Sequence, residues 1–153
     1  RWLTDLVDAR RELATRADLD PQRIGVTGFC FGGFVALLAA TDPSDRWAAA
    51  VPFYGPPAGY GNLGAPSEPR PLDRLDTLSC PTLMLYGSSD PYIPVEDVAA
   101  FADRAHARGA DVEVRFEAAG HAFFNDTRDS HDPAAARSAW DALLAFTRRV
   151  LGE

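Results

Sequence analysis

The sequence predicts an α/β fold: a predominantly parallel sheet of about four strands with helices on both faces. Two observations carry that expectation. Four short apolar runs, at 23–27, 47–54, 82–86 and 112–116, are set apart by helical patterns and loops, and strands alternating with helices imply parallel crossovers over a covered sheet. The length of 153 residues, 46% hydrophobic and 24% charged, suits one globular domain over 1–153.

The elements follow in order. From Trp2 to Ala17 apolar residues recur at 2, 6, 9, 13 and 17, the spacing of one helix face. The stretch 18–22, with Pro21, stops that helix. Arg23 to Thr27 reads as a short buried strand, Gly28 to Gly33 as a turn, and Phe34 to Ala40 as a helix ended by Asp42-Pro43. Trp47 to Tyr54 is the second strand. Gly55 to Pro71, rich in glycine and proline, is a loop, either a lid or a plain connector. Thr82 to Tyr86 is the third strand. A helix over about 94–108 places Val95, Val98, Ala102 and Ala105 on one face and ends at Gly109. Val112, Val114 and Phe116 alternate in the fourth strand. After a loop at 118–130, Asp132 caps a final helix with Pro133 at its first position. That helix is expected to bury Ala136, Trp140, Leu143 and Val150.

Bulk composition excludes several classes. The formal net charge is −7, which disfavours nucleic acid or an anionic membrane as partner. No apolar stretch approaches the roughly 18 residues of a membrane span. The two cysteines, Cys30 and Cys80, form no CxxC pair or disulfide framework. Reduced thiols in a cytoplasmic protein are the expectation. No GxGxxG or phosphate-binding loop occurs, so no nucleotide cofactor is expected.

The informative stretch is GFCFGG, residues 28 to 33. A strand ending in G-x-nucleophile-x-G and turning at once into a helix places the reactive atom on a sharp bend. Gly28 and Gly32 are expected to lack side chains so that strand and helix pass closely, with Gly33 adding room. The helix start aims N–H groups at the reactive atom and favours negative charge there; the Phe31 N–H is placed to stabilise an oxyanion. The alternative for Cys30 alone is a buried structural cysteine.

A thiol nucleophile needs a base. Of the three histidines, His106 lies among charged residues on the outer edge of a helix, and His131 lies in a polar stretch before the last helix. His121 instead follows Gly120 just after the fourth strand, at the sheet end where ligands of parallel sheets bind. Asp90 emerges just past the third strand; its other reading is a turn or cap aspartate before Pro91. Cys30, Asp90 and His121 stand in the chain order nucleophile, acid, histidine of α/β-hydrolases.

In GFCFGG around Cys30, YGSSDPYIP around Asp90 and AAGHAFFNDTR around His121, the sequence resembles the dienelactone hydrolase family, over nearly its whole length. It resembles the C-terminal half of that fold. The resemblance implies a Cys-Asp-His triad hydrolysing a small ester or lactone without metal or cofactor. It also implies that Tyr54 lines the pocket, where the other reading is a half-buried strand-end tyrosine. The family's carboxylate-gripping arginine, shortly after the histidine, is missing here. Residues 122 to 125 are Ala, Phe, Phe and Asn, and the nearest arginine is Arg128. A carboxylate-bearing lactone is therefore not expected, and an apolar acyl group against Phe123 fits as well. Upstream strands, the second oxyanion donor and a glutamate near the thiol are expected outside this sequence. The strand leading to Cys30 then presents an unpaired edge and a route to self-association.

Two other readings fit parts of the sequence. One is a non-catalytic half-domain that completes its sheet with another chain segment. The other is a metal site built from Cys30, Asp90 and His121, which lack the short ligand spacing of structural sites. Cys80, before Pro81 at the start of a strand, reads as core.

Overall fold

A computed structural model describes residues 1–61 and 70–152; part of the Gly55–Pro71 loop, residues 62–69, lies outside the described residues. Four parallel strands stand in sheet order β1 (Val26–Phe29), β2 (Ala50–Phe53), β3 (Thr82–Gly87) and β4 (Val112–Glu117). The helices are α1 (Trp2–Leu13), α2 (Phe31–Ala40), α3 (Val95–His106) and α4 (Pro133–Leu151), with 3-10 turns over Pro71–Thr77.

Each strand is laid beside its predecessor in one direction, so right-handed crossovers put α2 and α3 on one face. Alternation along β2 separates the two cores. Ala50 joins Val26 and the alanines Ala36, Ala39 and Ala40 of α2. Ala49, Val51 and Phe53 join Ala135, Ala139, Ala142 and Phe146 of α4. Every residue of β2 and β3 is buried, as expected for central strands covered on both faces. Among the described residues β1 is an edge strand. Helix α1 buries Val7, and Arg10 ties it down by an ion pair with Asp45 at 2.9 Å and by lying over the Trp47 ring.

Several boundaries differ from the sequence reading. Strand β1 continues through Gly28 and Phe29, because the Cys30 N–H still bonds Phe53 O at 3.0 Å, and α2 begins directly at Phe31. Helix α1 stops at Leu13 rather than Ala17. In α3 the buried face holds Phe101, and Val95 is exposed in the first turn. The α4 stripe lies one residue earlier than expected, at Ala135, Ala139, Ala142 and Phe146. Trp140 lies 43% exposed on the flank of the helix, where it reaches Phe124. Small alanines let α4 approach the sheet closely, Leu143 and Val150 pack partly buried against the same core, and Trp140 is turned aside. The Asp132 cap is present: its side chain accepts from the N–H groups of Ala134 and Ala135.

Candidate active site

The site is built by the carboxyl ends of the four strands. At the end of β1 the chain turns at Cys30, which caps α2 with φ 55° and ψ −115°. Such a conformation is strained for a residue with a side chain and clusters at functional sites. Packing enforces the bend. A Cβ at Gly28 would stand 2.2 Å from the Gly32 carbonyl oxygen. A Cβ at Gly33 would stand 2.4 Å from the Phe53 oxygen, and one at Gly55 would meet Gly33 and Phe34 backbone at 2.2 Å. Gly32 differs from expectation, because a Cβ there meets nothing within 4 Å. The close approach therefore runs between Gly28 and the backbone of residue 32, and between Gly33 and Gly55.

The bend lifts the sulfur toward the end of β4. Cys30 Sγ lies 3.2 Å from His121 Nε2, and His121 Nδ1 lies 2.6 Å from Asp90 Oδ2. Asp90 is held from behind, since its Oδ1 accepts the Tyr92 N–H at 2.8 Å. The carboxylate side chain is 1% exposed and the imidazole 18%. With its Nδ1–H donated to the carboxylate, the imidazole turns Nε2 to the sulfur. The hydrogen bond to Asp90 pushes the His121 pKa up, burial opposes it, and the sulfur adds to the rise. The three groups form a linear relay, able to move a proton between sulfur and ring while the carboxylate steadies the imidazolium. Among the described residues, no group of three or more His, Cys, Asp or Glu is arranged to hold a metal.

Around this relay the other expected residues separate. The Phe31 N–H belongs to the first turn of α2, where helix geometry leaves it without an intrahelical acceptor. Tyr54, with φ 37°, lies edge-on to the His121 ring at 5.1 Å between centroids and lines a cleft of about 620 Å³ with Cys30. Burial, then the nearby sulfur, pushes its phenol up to about 12. Phe123 is a correction. It is fully buried against Tyr54 in the core and presents nothing to a ligand. Arg128 is a second correction, since it lines the same cleft as Cys30 and His121 together with Asn125. The chain after His121 turns at Ala122 (φ 60°), and this turn brings Arg128 back.

His106 stays at the surface and reaches the Val112 carbonyl, and His131 stays in the loop before α4. Cys80 is buried, and burial pushes its thiol up to about 11. Sequence reasoning missed three tyrosines. Tyr92 covers the second side of the imidazole at 5.3 Å. Tyr86 is buried under the site and donates its hydroxyl to the Gly55 carbonyl at 2.6 Å. Tyr60 shares with Cys30, His121 and Ile93 a mainly apolar cavity of about 230 Å³. The order Asp90-Pro91-Tyr92 held a signal, since a turn there folds the next side chain back; Tyr60, inside a Gly/Pro-rich loop, had none.

The model of one family, described as the dienelactone hydrolase family, matches residues 1–151. The chain belongs to that family. A Bradyrhizobium protein named "Probable 2-oxo-3-(5-oxofuran-2-ylidene)propanoate lactonase" is 36% identical over 95% of this chain and 58% of its own length. An Escherichia coli K12 protein named "Putative carboxymethylenebutenolidase" is 36% identical over 92% of this chain and 51% of its own. A solved Klebsiella pneumoniae structure, described as a "Putative Dienelactone Hydrolase", superposes with a TM-score of 0.82 at 34% identity, covering 96% of this chain and 60% of that one. The chain thus spans about half the length of the curated relatives it matches. This member of the dienelactone hydrolase family shares the α/β fold of that structure, and among the described residues no helix is long and apolar enough to cross a membrane.

Proposed function

We propose that the chain carries the nucleophile, acid and base of an ester or lactone hydrolase that works through an acyl-enzyme on Cys30. The observation that supports this best is the relay from Cys30 Sγ to His121 Nε2 at 3.2 Å and from Nδ1 to Asp90 at 2.6 Å, set on a strained bend. The thiol proton passes to His121 Nε2, and the sulfur attacks the carbonyl carbon. The carbonyl electron pair moves to oxygen beside the Phe31 N–H. Collapse breaks the ester bond, and the departing alkoxide takes the proton from His121. The imidazole then deprotonates water, which attacks the thioester and frees the acid and Cys30. Asp90 keeps its charge throughout and holds the tautomer.

The substrate class is an unsaturated lactone bearing a carboxylate. Two relatives carry names of that chemistry, and Arg128 and Asn125 line the cleft beside the sulfur. An Arg128→Gln variant is expected to raise KM for a carboxylate lactone about tenfold or more while leaving a neutral ester within about twofold. Equal effects on both substrates would contradict the assignment. A second reading, a half-domain that pairs through β1, is favoured only by the edge position of that strand. It predicts a concentration-dependent dimer in sedimentation.

A further inference from the structure

We infer that the hydroxyl of Tyr60 donates a hydrogen bond to the oxyanion formed on a carbonyl carbon bonded to Cys30, as a side-chain companion to the Phe31 N–H. The inference rests on the acyl-transfer reading above. Three observations carry it. Tyr60 Oη is buried and makes no hydrogen bond to an oxygen or nitrogen among the described residues; the group it borders is the Cys30 sulfur, a weak acceptor. It stands in the wall of the cavity shared by Cys30 and His121, near enough to the sulfur to interact with it. Its ring is wedged against Phe31 and Phe34 at the start of α2, with centroids 5.9 and 5.2 Å apart, which fixes where the hydroxyl points.

A buried donor with only a sulfur beside it is poorly satisfied, so its persistence next to a reactive atom calls for a better acceptor that arrives with the substrate. The oxygen of a carbon bonded to Sγ lies two bonds from the sulfur, in the space the hydroxyl borders. Burial first, and the sulfur second, push the phenol's pKa up, so Tyr60 keeps its proton at neutral pH. It gives a hydrogen bond and no proton. The thiol proton goes to His121, the carbonyl pair rests on oxygen between Tyr60 and Phe31, and it returns as the alkoxide leaves. A donor in a water-excluded pocket acts where charge develops and needs no reorganisation at that moment.

The test compares Tyr60→Phe with the wild type in the intact protein, by two reactions of the same sulfur. Phenylalanine keeps the ring packing and deletes only the hydroxyl. Acylation by p-nitrophenyl acetate passes through an oxyanion, whereas alkylation by iodoacetamide displaces iodide and forms none. The expected result is an acylation rate lowered by about 10²-fold, with alkylation of Cys30 within about twofold. Acylation unchanged within about twofold would overturn the inference. So would acylation and alkylation falling together, which would make Tyr60 only a support for the sulfur. If the wild type shows no acylation at all, the acyl-transfer reading fails; a wild-type burst that Tyr60→Phe leaves intact removes Tyr60 alone.

Discussion

At the carboxyl ends of the strands, Cys30, Tyr54 and Ala122 hold positive φ, and they are the only non-glycine residues among those described that do. At the amino ends, Cys80, Ala49 and Val112 sit buried in ordinary core. The two cysteines make the contrast concrete. Cys80 is 7% exposed and its thiol is pushed up to about 11 by burial. Cys30 sits on a bend against an imidazole, and lines both a small cavity and a wider cleft that Arg128 and Asn125 also line. One rim of the sheet is packed for stability, and the other holds strain and polar groups in place for chemistry.

The largest test of that contrast is a pair of substitutions. Cys30→Ala is expected to lower ester turnover by at least about 10³-fold with little change in stability. Cys80→Ala is expected to leave turnover within about twofold and to cost roughly 1–2 kcal/mol in urea unfolding. Next in size, Asp90→Asn leaves the imidazole without its orienting charge and is expected to cost about 10²–10⁴-fold in kcat. Iodoacetamide near neutral pH should modify Cys30 at least about 10²-fold faster than Cys80, read by peptide mass spectrometry.

Two glycines sharpen the comparison within one motif. Gly28→Ala forces a Cβ against the carbonyl of residue 32 and is expected to destabilise by about 3 kcal/mol. Gly32→Ala meets open space in the first turn of α2 and is expected to be neutral or to stabilise by up to about 1 kcal/mol. Chemical denaturation of both variants decides it; equal losses would contradict the packing described here.

The smallest effect is in pH. The folded His121 pKa lies above its ordinary 6.5, chiefly through Asp90. The protonated ring therefore favours the folded state. That contribution is complete below pH 6.5 and is lost as pH rises through the folded value. Unfolding midpoints should fall across that window, and Asp90→Asn should flatten the slope.

Much of this rim was legible in the sequence, because each of Cys30, Asp90 and His121 stands just past an apolar run and their chain order is that of a known relay. Strand ends are local signals. What escaped depends on where distant backbone meets. The contact of Gly33 with Gly55 exists only once β2 is laid beside β1. Phe123, next but one to His121, was expected in the pocket, yet the turn at Ala122 sends its ring into the core. The same turn brings back Arg128, which spacing along the chain had placed too far away. In α4 two stripes run one residue apart, and side-chain size favoured the flanking one: Ala139 and Ala142 are buried, Leu143 and Val150 only partly, and Trp140 is exposed.

The central claim is that Cys30 becomes acylated. Mixing the intact protein with p-nitrophenyl acetate should release a burst of nitrophenol approaching one equivalent per chain, with an acetyl group on the Cys30 peptide and no burst from Cys30→Ala. A burst of the same size from Cys30→Ala, or an acetyl group found only elsewhere, would contradict it.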